Sequence, residues 1–168
     1  MNITPGHLNN SSSAIRLDDI DLDIIRMLKR DGRTPFAQIA QRLGVSTGMI
    51  RQRYQRLVKE GVLQVVAVTN PLLLGFSTMA MIGIKVDGAR LQQVAEEIAA
   101  LEEVIYLVLT AGAYDLFAEV VFRDNDHLLD FLTTRLRTIE GIRETETFMY
   151  LKIAKEIYSW PDITNNAI

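Results

Sequence analysis

The sequence predicts an α+β chain in two parts, a group of three short helices followed by a βαββαβ unit. Up to Gly61, apolar residues recur with the 3.6-residue period of amphipathic helices, whereas from Phe76 onward apolar, β-branched runs alternate with two helical stretches. Charge divides in the same way. The first 70 residues hold ten Lys and Arg against six Asp and Glu, a net +4, and the remainder holds eight against fifteen, a net −7. A basic module joined to an acidic domain is typical of DNA-binding proteins whose second domain has another role.

The first helix is predicted from Leu17 to Asp31 and ends at Gly32. Four aspartates lie near its start, and Lys29 and Arg30 lie near its end, as the helix dipole favours. Its predicted buried stripe is Leu17, Ile20, Ile24, Ile25 and Leu28.

A helix-turn-helix is predicted next. Thr34 can cap a second helix that begins at Pro35, and Gly44 suits the left-handed residue that ends it. Ser46 can then cap a third helix after a short turn. The buried face of the second helix is predicted to be Ile39, Ala40 and Leu43. That of the third helix is predicted to be Ile50, Tyr54, Leu57 and Val58.

The opposite face of the third helix is rich in glutamine, arginine and lysine. Glutamine can form paired hydrogen bonds with adenine, and arginine can bind guanine or phosphate. Surface helices of many proteins carry such residues only for solvation, but between Gly32 and Glu60 there are six cations against one acid, an imbalance that solvation does not require. We expect Gly48, Met49, Gln52 and Gln55 near base edges and Arg51, Arg53 and Arg56 on phosphates or guanines. The full candidate DNA-binding set is Thr34, Ser46, Thr47, Gly48, Met49, Arg51, Gln52, Arg53, Gln55 and Arg56.

Beyond the third helix, Val62 to Val68 is predicted to be a strand that links to the second part. There the predicted strands are Thr78 to Val86, Val104 to Leu109, Leu116 to Phe122 and Thr145 to Leu151. The predicted helices are Leu91 to Leu101 and Asn125 to Thr138. This order is that of a ferredoxin-like βαββαβ unit, whose right-handed crossovers place both helices on one face of the sheet.

The other face of this sheet is predicted to be apolar as well. In the second strand, one side is predicted to carry Ile105, Leu107 and Leu109, and the other Tyr106 and Val108. In the third strand, one side is predicted to carry Phe117 and Val121, and the other Leu116, Ala118, Val120 and Phe122. The inward residues of the helices are expected to be Leu91, Val94, Ala95, Ile98 and Leu101, and Leu128, Leu129, Leu132 and Leu136. The helix-free face therefore needs a cover, for which we expect a second copy of the chain. The alternative cover is the segment after Tyr150, which contains Tyr158 and Trp160.

Composition favours a soluble, cytoplasmic protein. The chain has no cysteine, residues 1–16 lack the apolar core of a signal peptide, and no apolar run approaches the roughly 18 residues of a membrane span. Residues 1–16 are predicted to be a disordered tail. His7 and His127 have no neighbours in metal-binding spacing, and no nucleophile with a base or phosphate-binding glycine loop is present. We therefore expect no metal, cofactor or catalytic residue.

Five stretches of the chain together resemble the Lrp/AsnC, or feast/famine, family of regulators, and the resemblance covers Leu17 to Lys155. They are LDDIDLDIIRMLKRDGR, LGVSTGMIRQRYQRLVKEGVL, NPLLLGF, AGAYDLFAEV and GIRETETFMYLK. The resemblance implies a transcriptional regulator with a winged helix-turn-helix at residues 17–70 and a ferredoxin-like effector and assembly domain at residues 71–168. It also implies binding to double-stranded DNA, dimers that can assemble into octamers, and a small effector, usually an amino acid.

The resemblance places the effector at two positions. The first is the family's G-x-Y-D turn, here Gly112, Ala113, Tyr114 and Asp115, and the second is its T-x-T motif, here Thr145 and Thr147. Backbone groups beside Gly112 could hold a carboxylate, and Asp115 could pair with an ammonium. The alternative is a tight turn in which Gly112 supplies an unusual φ and Asp115 bonds the local backbone. Ala111 and Ala113 replace residues that are often polar in the family, which leaves open a larger or less polar ligand.

Siroheme decarboxylases share this two-part architecture, so an enzyme is the alternative function. Their anionic tetrapyrrole calls for histidines and basic residues, whereas the second half of this chain has one histidine and a net charge of −7. A sensor that has lost DNA binding is a further alternative. The cationic face of the third helix favours a DNA-binding regulator over both.

Overall fold

The structure, a computed structural model, describes residues 15–155, which form two compact units divided between Val68 and Thr69. The first unit contains three helices, α1 (Asp19–Arg30), α2 (Phe36–Leu43) and α3 (Thr47–Lys59). The second contains the strands β1 (Thr78–Val86), β2 (Val104–Leu109), β3 (Leu116–Phe122) and β4 (Ile142–Met149). Its helices are α4 (Leu91–Ala99) and α5 (Asn125–Asp130), which continues as a π-helical segment, Phe131–Leu136. Two 3-10 turns, Pro71–Leu74 and Gly88–Arg90, precede β1 and α4.

The first unit closes around the apolar stripes that the sequence predicts. Its fully buried side chains include Ile24, Ile39, Ile50 and Leu57, one or more from each helix. Asp18 caps α1 and forms a reciprocal capping box with Asp21, which satisfies amide groups that a helix start otherwise leaves unpaired. The predicted helix-turn-helix is confirmed.

Three details of this unit differ from the sequence-based expectation. The residue that caps α2 is Pro35 rather than Thr34, because the Thr34 hydroxyl donates to the Asp31 carbonyl at 2.7 Å and is not available to the helix. Val58 is 42% exposed, since it lies about 100° around α3 from the buried Leu57. The predicted strand Val62 to Val68 is wrong: within the described residues this segment has no ladder partner, and a β-branched run without a partner strand forms no sheet.

The second unit confirms the βαββαβ order. Its sheet has the strand order β2-β3-β1-β4, and every neighbouring pair is antiparallel. One face of the sheet, which includes Ile82, Ile84, Leu116 and Val120, packs against Val94 and Ile98 of α4 and against Phe131 and Leu136 beyond α5. Both helices therefore cover the same face of the sheet. In β3, the side chains point alternately to the two faces, as the sequence predicts.

Two local irregularities change which residues face this core. The register of β2 shifts between Val104 and Tyr106, so Val104 and Leu107 both pack on the core and Ile105 is 53% exposed, contrary to the predicted alternation. The π-helical segment widens the last turns of the second helix, so that Phe131 is fully buried and Leu129, predicted to face inward, is 60% exposed. Strand β4 begins at Ile142 rather than at Thr145 and ends at Met149.

The face of the sheet without helices is defined here as the open face. Its residues include Met79, Met81, Gly83, Lys85, Phe117, Glu119, Val121 and Phe148, as the strand pairing places them. The alternative cover, the segment with Tyr158 and Trp160, and most of the predicted tail at residues 1–16 lie outside the described residues. Within residues 15–155, no helix is long and apolar enough to cross a membrane.

Candidate DNA-binding surface and effector site

The N-terminal half of α3 is presented to solvent by the turn before it. Gly44 has a φ of 67°, the left-handed conformation that ends α2. Ser46 then accepts a hydrogen bond from the Met49 amide at 3.2 Å and starts α3. Eight of the predicted DNA-binding residues are exposed on this helix and its cap, namely Ser46, Thr47, Gly48, Met49, Arg51, Gln52, Gln55 and Arg56, and Arg53 is half-buried. Thr34 lies apart from them, half-buried in the turn before α2.

Arg53 and Arg56 are oriented towards α1. Nη1 of Arg53 lies 2.6 Å from both carboxylate oxygens of Asp18 and 2.9 Å from Oδ1 of Asp21, and Nη2 of Arg56 pairs with Oδ2 of Asp21. The Asp21 side chain is 1% exposed. We call these four residues the α1–α3 ion cluster. Each guanidinium has five donors, so the pairs leave N–H groups that a phosphate could still accept.

The hydrogen bond from Arg53 lowers the pKa of the Asp18 carboxyl below its usual value, and the same bond raises the pKa of Arg53. Both groups are therefore charged at neutral pH. From the sequence, the aspartates of α1 are explained by the helix dipole alone, and their pairing with α3 is not predicted. A signal was present, since Asp18 and Asp21 and also Arg53 and Arg56 have the i, i+3 spacing of one helix face.

Several cations of this unit have no acidic partner. In residues 15–155, the side chains of Arg33, Arg42, Arg51 and Lys59 form no ion pair. Unlike Arg53 and Arg56, these charges are free to meet an anionic surface such as a phosphate backbone.

The predicted effector turn is ordered by hydrogen bonds to its neighbours. The Thr110 amide donates to the Asp115 carbonyl at 2.9 Å, and the Thr110 hydroxyl donates to the Tyr114 carbonyl at 2.6 Å. Oδ2 of Asp115 accepts the Val86 amide at 2.8 Å, at the point where the register between β1 and β4 shifts. Asp115 thus satisfies a backbone donor of β1. Gly112 does not have a positive φ, so the predicted unusual φ at this position is wrong.

Tyr114 leaves the turn and lies on the open face. A Cβ atom at Gly83 would lie 2.8 Å from Cδ1 of Tyr114, so the ring requires a glycine beneath it. The ring also contacts Phe117 edge-on, with centroids 5.3 Å apart, and Nζ of Lys85 lies 5.6 Å from its centroid. By contrast, Gly112 and Ala113 are exposed.

The two parts of the predicted effector site lie at the same end of the sheet, on opposite sides of β1. The Asp115 amide donates to the Ile84 carbonyl at 2.9 Å, and Thr145 pairs with Ile84 from the other side. Asp115 and Thr145 are therefore about two strand spacings, roughly 10 Å, apart. Thr147 follows along β4 opposite Ile82, and both threonines are half-buried.

Comparison with known proteins places both units in one family. A model of winged helix-turn-helix DNA-binding domains matches residues 17–64, and a model of the Lrp/AsnC ligand-binding domain matches residues 79–160. An uncharacterised HTH-type transcriptional regulator of Pyrococcus abyssi is 38% identical over 88% of this chain and 94% of that protein. The HTH-type transcriptional regulator FL11 of Pyrococcus furiosus is 34% identical over 86% of this chain and 96% of its own length.

Solved structures agree with these matches. E. coli AsnC aligns with a TM-score of 0.78 and 28% identity, over 88% of this chain and all of AsnC. A transcriptional regulator of Neisseria meningitidis, solved with L-methionine, has the same fold, with a TM-score of 0.77 and 22% identity over 87% of this chain and 97% of that one. This chain therefore belongs to the Lrp/AsnC family of helix-turn-helix transcriptional regulators.

Proposed function

We propose that this chain is a sequence-specific DNA-binding regulator whose affinity for DNA is set by an amino acid or a related metabolite. The observation that carries the proposal is the exposed face of α3, on which Gln52, Gln55 and Arg51 are exposed together with Gly48 and Met49. Glutamines there can contact base edges in the major groove, while Arg51 contacts a phosphate or a guanine. Arg53 and Arg56 add phosphate contacts through the N–H groups that the α1–α3 ion cluster leaves unused.

The effector binds at the end of the sheet formed by Gly112 to Asp115, Thr145 and Thr147. Exposed backbone at Gly112 and Ala113 offers hydrogen bonds to a carboxylate, and the threonine hydroxyls of β4 lie on the other side of β1. Support comes from the match of residues 79–160 to a ligand-binding domain and from the Neisseria regulator, which shares the fold and was solved with L-methionine.

Dimers form through the open face. Tyr106 and Phe148 are 51% and 42% exposed on a face that also carries Phe117, Met81 and Tyr114. An apolar surface of this kind is stabilised by a second copy, and a twofold dimer would present two recognition helices to the half-sites of a pseudo-palindrome. Effector binding between such dimers, which can assemble further into octamers, changes how they pack and so alters the spacing of the helices.

A mobility-shift experiment tests the proposal. Purified protein is titrated onto the DNA upstream of its own gene and onto random DNA of equal length, at two salt concentrations and with a panel of amino acids. We expect a tighter shift on the upstream DNA, which one of the amino acids alters. Equal affinity for both DNAs would contradict sequence-specific binding.

A substitution in α3 gives the test a residue-level readout. Gln52→Ala should reduce the preference for upstream over random DNA by roughly five- to hundredfold, as for the loss of one base contact of about 1–3 kcal/mol. Gln41→Ala is the matched control, because Gln41 is an exposed glutamine on α2 of the same unit. A preference that survives Gln52→Ala would remove Gln52 from the base-reading surface.

A further inference from the structure

Helix α3 carries four cations, which the structure divides into two pairs. Within residues 15–155, Arg51 and Lys59 form no ion pair. Arg53 and Arg56 belong to the α1–α3 ion cluster, in which they pair with two aspartates. Because two guanidinium groups meet two carboxylates, the cluster has no net charge. Half of the positive charge of α3 is therefore neutralised before the helix meets DNA.

Arg53 is the more restrained of the two paired arginines. Its Nη1 lies 2.6 Å from both carboxylate oxygens of Asp18 and 2.9 Å from Oδ1 of Asp21. The Arg53 side chain is 24% exposed, against 41% for Arg56. Since the Asp21 side chain is 1% exposed, little water competes for its ion pairs, which are stronger than pairs at an open surface. A phosphate must therefore compete with two carboxylates for the Arg53 guanidinium.

The ion cluster lies on one flank of the exposed, glutamine-bearing face of α3. Since an α-helix turns by about 100° per residue, Arg56 and Arg53 lie about 40° and 100° around the helix from Gln52, on the side of α1. Arg51 lies about 100° from Gln52 in the other direction. A helix in the major groove has a phosphate backbone on each side. One flank of α3 therefore offers an unpaired arginine, whereas the other offers a neutral cluster whose Asp18 carboxylate is 54% exposed.

Paired and unpaired cations have different effects on binding to random DNA. Contacts between cations and phosphates supply essentially all of the affinity for random sequences, and they carry no sequence information. On random DNA the helix can shift until each free cation meets a phosphate, whereas base contacts fix its position on a specific site. A cation that is withheld from phosphates thus lowers the affinity for random DNA more than the affinity for the specific site.

We propose that Asp18 is a specificity-determining residue, which limits binding to random DNA by holding Arg53 in the ion cluster. Asp21 completes the pairing from the buried side. Asp18 acts through Arg53 and is therefore a positioning residue. This assignment rests on the proposed function, in which α3 reads base edges, and adds to it the residue that sets the ratio of specific to non-specific affinity.

Fluorescence anisotropy of the full-length protein on two labelled duplexes tests the assignment. The duplexes are the DNA upstream of its own gene and random DNA of equal length, each titrated between about 0.05 M and 0.3 M salt. In the variants Asp18→Asn and Asp18→Ser the charge is removed, and both new residues can still cap α1. We expect the affinity for random DNA to rise about threefold to tenfold near 0.1 M salt. The slope of log affinity against log salt should steepen by about 0.9, as for one further phosphate contact.

The ratio of upstream to random affinity should fall in both variants, by about threefold or more if only random DNA gains the contact. Loss of folded protein lowers the affinity for every DNA, so a rise on random DNA cannot arise from destabilisation of the variants. An unchanged affinity and salt slope on random DNA would overturn the proposal.

Asp19→Asn is the matched control for net charge. Asp19 is exposed in the first turn of α1 and has no ion pair among the described residues, so the substitution changes the formal charge equally and releases no arginine. We expect the affinity for random DNA to rise by less than about twofold, because an exposed charge is screened by salt. An equal rise in Asp18→Asn and Asp19→Asn would overturn the role of Asp18, since overall charge would then explain both.

A double variant shows whether the effect passes through Arg53. Asp18→Asn is introduced into Arg53→Gln, which has no guanidinium to release at this position. We expect the affinity for random DNA to be the same, within about twofold, in Arg53→Gln and in the double variant, since the two residues act as a coupled pair. A threefold or larger rise in this background as well would show that Asp18 repels DNA directly and does not act by holding Arg53.

The two duplexes separate this inference from the proposed function. If the parent prefers the upstream DNA and Asp18→Asn leaves that preference unchanged, the chain is a sequence-specific regulator and the assignment of Asp18 is wrong. If the parent has no preference, the proposed function fails on its own. The salt slopes on random DNA then still decide whether Asp18 withholds Arg53 from phosphates.

Discussion

Arg53 in α3 and Asp18 at the start of α1 are 35 residues apart in sequence, and Nη1 of Arg53 lies 2.6 Å from both carboxylate oxygens of Asp18. The same nitrogen reaches Asp21, whose side chain is 1% exposed. Through Arg53 and Arg56, two successive turns of α3 are thereby held against the N-terminus of α1. The orientation of α3, which we propose contacts DNA, therefore depends on a helix that carries none of the residues proposed to contact DNA.

Arg53→Ala should destabilise the DNA-binding unit as well as weaken its contact with DNA. Removal of this guanidinium leaves the buried Asp21 with Arg56 as its one cationic partner among the described residues, and we expect the free energy of unfolding to fall by about 1–3 kcal/mol. Arg51→Ala is the control, because Arg51 is exposed and has no ion pair within residues 15–155. It should leave the melting temperature unchanged and reduce the salt dependence of DNA binding by about one phosphate contact. Thermal unfolding and salt titrations of both variants check the two roles, and an unchanged melting temperature for Arg53→Ala would contradict the first.

Asp18→Asn should reveal a pH-dependent contribution to stability. The pKa of Asp18 in the folded protein lies below its usual value of 3.8, chiefly because Arg53 donates to it. A carboxyl with a depressed folded pKa stabilises the protein above its unfolded pKa, and this stabilisation is lost as the pH falls through the folded pKa. At pH 7 the variant should thus be less stable than the parent, by less than about 1 kcal/mol because the side chain is half exposed.

The difference between the two proteins should shrink as the pH falls below about 4 and vanish only below the folded pKa of Asp18. Denaturant melts at pH 7 and pH 3 measure the convergence, with Asp19→Asn as the control, since Asp19 is the next aspartate, in the first turn of α1, and has no ion pair among the described residues. A difference between Asp18→Asn and the parent that is as large at pH 3 as at pH 7 would show that the loss does not arise from the charge of Asp18.

Local signals in the sequence predicted most of the fold. The cap at Ser46, the left-handed Gly44 and the apolar periods depend on neighbouring residues, and the βαββαβ order followed from them. Features that depend on distant partners were missed. Val62 to Val68 has strand propensity, but in the described residues no strand lies beside it. The π-helical segment, which buries Phe131 in place of Leu129, has no local sequence pattern that predicts it.

The candidate sites likewise combine features that local sequence patterns predict with features that depend on distant residues. The exposed face of α3 follows from helical period alone, and the family resemblance located the turn at Gly112 to Asp115. The ion pairs of Arg53 and Arg56 depend on tertiary packing, so they cannot be predicted from local sequence patterns. The contacts of these two arginines are therefore known only from the structure.

Asparagine and alanine at position 115 should separate two roles of Asp115. Its Oδ2 accepts the Val86 amide, which an asparagine side-chain oxygen can also do and alanine cannot. If the carboxylate also pairs with an effector ammonium, Asp115→Asn should keep the parent's melting temperature and lose the response of the mobility shift to amino acids. Asp115→Ala should lose both, with a fall of about 1–3 kcal/mol in the free energy of unfolding. A full amino-acid response in Asp115→Asn would show that the residue serves only the backbone of β1.

Arg135→Met should destabilise the second unit strongly, because it removes the main partner of a buried carboxylate. Glu103 is 3% exposed, and its Oε1 accepts from Nη1 of Arg135 and lies 3.1 Å from Nε2 of His127. The Arg123 amide donates to Nδ1 of that histidine, so Nε2 carries the proton and donates to Glu103. Within the described residues Oε2 has no partner, so the site has no spare hydrogen bond to offset the loss.

We expect the free energy of unfolding to fall by about 3–5 kcal/mol in Arg135→Met, as when one member of a buried ion pair is removed. Arg123→Met, which replaces an exposed arginine without an ion pair in residues 15–155, should change it by less than about 0.5 kcal/mol. The double variant Glu103→Leu, Arg135→Met should recover most of the loss, because it removes the buried charge together with its partner. Denaturant unfolding of the three variants measures these differences. A double variant no more stable than Arg135→Met would show that the cost comes from lost packing of the arginine stem and not from the uncompensated carboxylate.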